Sequence, residues 1–140
     1  MVQEEVARRV VANEKSPSKQ YGFLTILSQF WADCEIFKLV GRKSFYPAPK
    51  VNSALIRLIV KKEPRLKLSD YKHFRKTIKA AFAQRRKTLS NALSAGFSEL
   101  SKEQINAVIA DCGFESTIRG ERLDIAQFVK LSDKIGEFIK

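Results

Sequence analysis

Apolar positions change their spacing along this chain, and each change predicts an element. From Met1 to Ala12, Val2, Val6, Val10 and the smaller Ala7 share one helical stripe while Glu4, Glu5, Arg8 and Arg9 lie elsewhere, which predicts a helix. Asn13 to Gln20 clusters Lys, Ser, Pro and Asn without apolar period and reads as a loop. Tyr21 to Trp31 is dense in Phe23, Leu24, Ile26, Leu27, Phe30 and Trp31, which predicts a second, deeply buried helix. Two strand candidates follow, Cys34 to Val40 and Val51 to Lys61, joined by an arm from Gly41 to Lys50. In the second strand Ala54, Ile56, Leu58 and Val60 fill one face, and Val51, Leu55 and Ile59 leave the other mostly apolar, as in a strand inside a layered sheet. Two strands form only a marginal hairpin and too narrow a platform for covering helices, so the pattern points to further strands upstream.

Lys61 to Lys67 breaks the pattern with Lys61, Lys62, Glu63, Pro64, Arg65 and Lys67, and is expected to divide the chain into residues 1–64 and 65–140. Everything beyond it reads helical, so the expected class is α/β plus all-α. A long helix is predicted from Ser69 to Leu93, capped by Ser69 and ended by Gly96, with Phe74, Ile78, Ala81, Phe82, Leu89 and Leu93 on one face. Ser101 with Gln104 has the spacing of a capping box for a helix carrying Ile105, Val108, Ile109 and Cys112, closed by Gly113. Asp124 with Gln127 repeats the pattern before Ile125, Phe128, Leu131, Ile135 and Phe138.

Composition narrows the chemistry. The 140 residues are 44% hydrophobic, enough for a real core, and the formal charge of +11 favours an anionic partner, nucleic acid or an acidic membrane face. No apolar run approaches the ~20 residues of a membrane span, and Glu4 and Glu5 beside the first apolar residues are unlike a signal peptide, so a soluble intracellular protein is expected. Cys34 and Cys112 stand far apart and are expected as two buried thiols, neither a zinc knuckle nor a redox pair. His73 is the only histidine and has no Cys or carboxylate at a recognised ligand spacing, which argues against a metal site or a His-based triad.

The positive charge is concentrated. Lys61 to Lys87 holds eleven Lys and Arg residues against Glu63 and Asp70 alone. On one continuous helix, Lys72, Arg75, Lys76, Lys79, Arg86 and Lys87 would gather within an arc of about 120°, a row of cations suited to phosphates and sensitive to salt. Arg85 breaks this projection by falling near Ile78 on the apolar side. Either the helix is interrupted near Ala83, or Arg85 pairs with Glu121 or Asp124.

The arm from Phe45 to Ser53 runs Phe45, Tyr46, Pro47, Ala48, Pro49, Lys50, Val51, Asn52, Ser53. Each proline fixes its own φ and pushes the preceding residue toward extended geometry, which predicts a stiff, extended segment. Such an arm could hold a ring against a flat base while Lys50 approaches a phosphate; equally, Phe45 and Tyr46 could plug a core.

This arm, with Gln84, Arg85, Arg86, Lys87, Thr88, Leu89, Asn91 and Leu93 beyond it, resembles the KsgA-type ribosomal RNA adenine dimethyltransferases. Met1 to Ala7, reading MVQEEVA, and the Tyr21, Gly22 pair resemble intervening signatures of that family, and the resemblance covers essentially the whole chain. It implies an enzyme dependent on S-adenosyl-L-methionine that dimethylates N6 of two adjacent adenines near the 3′ end of small-subunit rRNA, a monomer acting on pre-30S subunits in the cytoplasm. It also implies that residues 1–64 are the C-terminal part of a Rossmann-like methyltransferase sheet, supplying its last two strands, and that residues 65–140 are a small rRNA-binding helical domain. Phe45 matches the residue that packs against the flipped adenine; Lys50, Arg86 and Lys87 are expected on rRNA phosphates, with Arg75, Lys76 and Lys79 as weaker candidates and Gln84 and Asn91 holding helices together.

One departure from the family is large. Gly22, Gly41, Gly96, Gly113, Gly120 and Gly136 are too scattered for the glycine-rich turn that binds the methyl donor. None of Asn13, Asn52, Asn91 and Asn106 is followed by proline, so the family's Asn, Leu or Pro, Pro, aromatic motif is absent and no catalytic residue is assigned. The chain therefore resembles the C-terminal half of such an enzyme and is expected to bind neither donor nor metal by itself. A non-catalytic RNA-binding or ribosome-assembly module, a DNA-binding relative and a large-subunit rRNA methyltransferase remain as alternatives.

Overall fold

The computed structural model describes residues 1–17, 19–64 and 68–139. The chain forms two compact units, Met1–Arg65 and Leu66–Lys140.

In the first unit, strand β1 (Val2–Gln3) leads directly into helix α1 (Glu4–Val11), helix α2 (Phe23–Trp31) runs into strand β2 (Ala32–Val40), and strand β3 (Ser53–Val60) closes the sheet. The strand order is β1-β3-β2, all antiparallel. The sheet thus has three strands where the apolar pattern shows two. Val2 shares a helical stripe with Val6 and Val10, yet Val2 and Gln3 pair with Ala54 and Ser53, and ladder partners outweigh local periodicity for so short a segment. A register shift between Ile36 and Lys38 leaves Phe37 as the extra residue of β2.

Two helices pack on this sheet around Ala7, Val10, Ile26, Phe30 and Ala54. Helix α1 carries Glu4 and Glu5 in its first turn and Arg8 and Arg9 in its last, the order that complements the helix dipole, and they pair at 3.2 and 2.8 Å. Its last carbonyls are taken up by α2: the Gln29 amide donates to Val10 O and Ala12 O at 2.9 and 2.8 Å. The fully buried Thr25 hydroxyl donates to the Arg9 carbonyl and accepts from Gly22 N. The sheet is covered unevenly, because Ala54 is fully buried while Leu58, Ile59 and Val60 at the other end of β3 are 48%, 58% and 71% exposed. Cys34 on β2 is only half-buried, where both thiols were expected inside; Cys112 is buried, and burial raises its thiol pKa.

The second unit is four helices: α3 (Tyr71–Ala83), α4 (Leu89–Gly96), α5 (Lys102–Asp111) and α6 (Ile125–Ile139). Asp70, not Ser69, caps α3: its carboxylate accepts from Lys72 N at 2.8 Å and His73 N at 3.4 Å. The long helix expected up to Leu93 is two helices. It stops at Ala83, and a new start is set by Thr88, whose hydroxyl accepts from Asn91 N, while Leu89 N donates to Ile118 O at 2.7 Å. The interruption expected near Ala83 is observed. Arg85 is exposed, its guanidinium 5.6 Å from the centre of the Phe82 ring.

The capping boxes predicted at Ser101–Gln104 and Asp124–Gln127 are both formed reciprocally, at 2.9 and 3.1 Å and at 2.9 and 2.8 Å. Gly113 ends the turn after α5 at φ 82°, a left-handed conformation that favours glycine. Helices α3 and α4 approach so closely that a Cβ on Gly96 would collide with the Cβ of Ala80. Around this contact Phe74, Phe97, Phe128, Leu93, Ile105 and Leu131 are fully buried. Among the described residues no helix is long and apolar enough to cross a membrane, and no group of His, Cys, Asp and Glu is arranged to hold a metal.

Candidate nucleic-acid interface

The arm between β2 and β3 is built from its base. Arg42–Ser44 form a single 3-10 turn in which Ser44 N donates to Gly41 O at 3.0 Å, just ahead of the Phe45 to Ser53 segment expected to be extended. Phe45 then takes extended geometry (φ −117°, ψ 151°). The Tyr46–Pro47 bond is cis. Phe45 is half-buried and the neighbouring Tyr46 is fully exposed, so the two rings are not equivalent plugs of a core. Lys50 is exposed at the far end.

Asn52 ties the two ends of the arm together. Its side-chain oxygen accepts from Arg42 N at 2.9 Å, ten residues back, and its carbonyl accepts from Glu4 N at 2.9 Å at the start of α1. Its amide nitrogen lies 3.5 Å from the Glu4 carboxylate, which also accepts from Arg8 at 3.2 Å. Beside this knot lies a cleft of about 540 Å³, lined by Glu4, Glu5, Arg8, Gln20, Arg42, Lys50, Val51 and Asn52. Of these, sequence reasoning singled out Lys50 alone. Asn52 reads as one more arm residue, and nothing in local spacing links Arg42 or Gln20 to it.

The second unit carries the remaining candidates. Arg75, Lys76 and Lys79 are exposed on α3, but Arg86 and Lys87 sit in the turn beyond its end, so the single row of cations projected on one helix does not form. Lys87 N donates to Gln84 O at 3.0 Å within that turn. Lys76 is engaged elsewhere: its ammonium lies 2.9 Å from the Glu99 carboxylate and 4.6 Å from the centre of the Phe97 ring. That hydrogen bond holds the Glu99 carboxyl below the usual carboxylate range. Asn91 bridges α4 and α5 by accepting from Lys102 at 2.7 Å, and Ser90, not singled out in the sequence, bonds Asn106 at 2.5 Å across the same pair.

Residues 1–134 match the ribosomal RNA adenine dimethylase family. The chain belongs to that family. Ribosomal RNA small subunit methyltransferase A from Lactococcus lactis is 39% identical over 135 residues, and the one from Geobacillus kaustophilus 42% over 137; each alignment covers 96% of this chain. These alignments cover 45% and 46% of the relatives, so the chain spans about half the length of the curated proteins it matches. A crystal structure of a dimethyladenosine transferase from Plasmodium falciparum superposes with a TM-score of 0.74 at 25% identity, over 92% of this chain and 53% of that one. The 23S rRNA methyltransferase ErmE, at TM-score 0.59 and 21% identity over 96% of this chain and 52% of that one, shares the fold. The resemblance carried by the Phe45 arm, QRRKTL and MVQEEVA is therefore borne out at the level of the family.

Proposed function

We propose that this chain is the C-terminal half of an adenine N6,N6-dimethyltransferase of small-subunit rRNA, with Met1–Arg65 supplying the end of a Rossmann-like methyltransferase sheet and Leu66–Lys140 an rRNA-binding helical domain. The observation that carries the reading is the arm. In a chain of this family, an arm closed at its base by Asn52 carries Phe45 half-buried near one end and the exposed, cationic Lys50 at the other. A ring held in this way stacks on a base turned out of its RNA strand, and does so whatever the base's neighbours are. Lys50, Arg86 and Lys87 contact rRNA phosphates, with Arg75 and Lys79 in support; Lys76, already paired with Glu99, contributes least. The target is two adjacent adenines near the 3′ end of small-subunit rRNA in a pre-30S particle, approached by a monomer in the cytoplasm. QRRKTL favours the small-subunit group over the large-subunit relatives.

S-adenosyl-L-methionine is the donor for the complete enzyme, and the residues present do not fit it. A cofactor cradle needs a glycine turn where a strand meets a helix, so that backbone can approach the ligand. Here β1 passes into α1 at Gln3–Glu4, with side chains on both residues and no glycine. This chain alone is therefore expected to bind no S-adenosyl-L-methionine, and calorimetry showing a clear binding isotherm would overturn that. The base-holding role is tested in the complete enzyme. Phe45→Ala removes stacking worth about 1–3 kcal/mol per base and is expected to cut turnover while leaving RNA docking largely intact; equal loss of docking would make Phe45 structural.

A further inference from the structure

We propose that the cleft beside the arm is a second nucleotide subsite, which takes the sugar-phosphate of the RNA nucleotide flanking the base at Phe45. It rests on the base-holding reading above. The cleft's volume of about 540 Å³ is that of a small-ligand pocket, for which about 300–1,000 Å³ is usual. Its two walls differ in charge. On the α1 side, Arg8 is neutralised by Glu4, and Glu5 by Arg9. On the arm side, neither Arg42 nor Lys50 pairs with a carboxylate among the described residues, so the wall facing α1 is cationic. A phosphate approached by a guanidinium and an ammonium suits that wall, and the Gln20 amide can donate to or accept from a sugar hydroxyl.

The site is held rather than accidental. Arg42 and Lys50 stand at opposite ends of the arm, and the bond from Arg42 N to the Asn52 side chain brings the first end back to the second. Asn52 is itself fixed by Glu4. It acts as a positioning residue: it need not touch RNA, but it sets where the Arg42 guanidinium starts from.

The full chain can be tested with a short, dye-labelled single-stranded oligoadenylate, by anisotropy over a range of salt. Arg42→Gln is expected to weaken binding about 3- to 10-fold at low salt and to reduce the slope of log K against log salt by about 0.7, the value for one lost phosphate contact on a single strand. Lys43→Gln removes the same charge one residue away, outside the cleft lining, and is expected to cost less than about twofold. Asn52→Ala changes no charge, yet should reproduce the affinity loss and the shallower slope of Arg42→Gln while the chain keeps its melting transition. Equal effects of Arg42→Gln and Lys43→Gln would overturn the subsite, since only net charge would then matter. Wild-type binding by both Arg42→Gln and Asn52→Ala would also overturn it. Should Asn52→Ala unfold the unit, the Arg42 and Lys43 pair still decides. A 2-aminopurine in the same oligonucleotide separates this inference from the reading it rests on. Quenching relieved by Phe45→Ala supports both, whereas unchanged quenching together with a loss in Arg42→Gln sinks the base-holding reading and leaves the phosphate contact standing.

Discussion

Among the described residues of Leu66–Lys140, eighteen apolar side chains are buried and only two large ones, Tyr71 and Phe138, are exposed; in Met1–Arg65 eight are buried and ten large ones are exposed. The units are of similar length, so the difference is not one of size. Helices α3 to α6 turn their apolar stripes toward one another, and capping side chains satisfy their ends at Asp70, Thr88, Ser101 and Asp124. The sheet unit stacks two helices on one end of a three-stranded sheet and leaves Leu58, Ile59 and Val60 in the open. One unit closes over its own core, and the other leaves ten large apolar side chains exposed, Leu58, Ile59 and Val60 in a row among them.

Cutting the chain is the severest test of this contrast. A fragment of residues 66–140 is expected to melt cooperatively and stay monomeric, whereas residues 1–65 alone should self-associate or fail to show a sharp transition. Circular dichroism and size-exclusion chromatography check both. A soluble, cooperatively folded 1–65 fragment would break the comparison outright.

Single side chains should show the same asymmetry on a smaller scale. Phe128, fully buried and 5.6 Å from the Phe82 ring, is expected to cost about 3–5 kcal/mol on truncation to Ala. Ile59, 58% exposed, should stay within about 0.5 kcal/mol in the same change, measured by denaturant unfolding. Gly96→Ala comes next: its new Cβ would meet Ala80 where α3 and α4 touch, and overpacking of this kind costs about 1–3 kcal/mol. Ala80→Gly in the same chain should recover part of that loss.

How legible each unit was in the sequence follows the same division. The helical unit is written in local signals: the pairs Ser101–Gln104 and Asp124–Gln127 sit three residues apart, and Gly113 announces a left-handed stop. Even its error was local. Arg85 on the apolar face marked the break at Ala83, and the Thr88 cap lay three residues further on. The sheet unit depends on partners far apart in sequence. Val2 and Gln3 become a strand only because Ser53 and Ala54 pair with them, and Asn52 matters only because the chain brings Arg42 and Glu4 to it. The aromatic arm and Lys50 could be picked out by residue type, but the cleft could not, because no spacing rule relates Gln20, Arg42 and Asn52.

The smallest effect concerns a cation that belongs by position to the proposed RNA-contact set and by its contacts to the helical core. Lys76 shares α3 with Arg75 and Lys79, yet its ammonium is committed to Glu99 and sits over Phe97. The Glu99 carboxyl is lowered from its ordinary value, first by that hydrogen bond. A depressed folded-state pKa means that the bond's contribution is in place above the unfolded carboxylate's pKa and is lost as pH falls through the folded one. Lys76→Met should therefore move the Glu99 titration, followed by carboxyl carbon NMR, back up toward the ordinary carboxylate value. It should also leave the stability of the variant less dependent on pH at the acid end than that of the parent. Both partners are largely solvent-exposed, so the stability change is small and fades with added salt. In RNA binding the order reverses. Lys79→Met should weaken oligonucleotide binding more than Lys76→Met does, because releasing Lys76 to a phosphate first requires breaking its bond to Glu99. Equal losses would place Lys76 among the phosphate contacts and reduce the Glu99 bond to a resting state of the free chain.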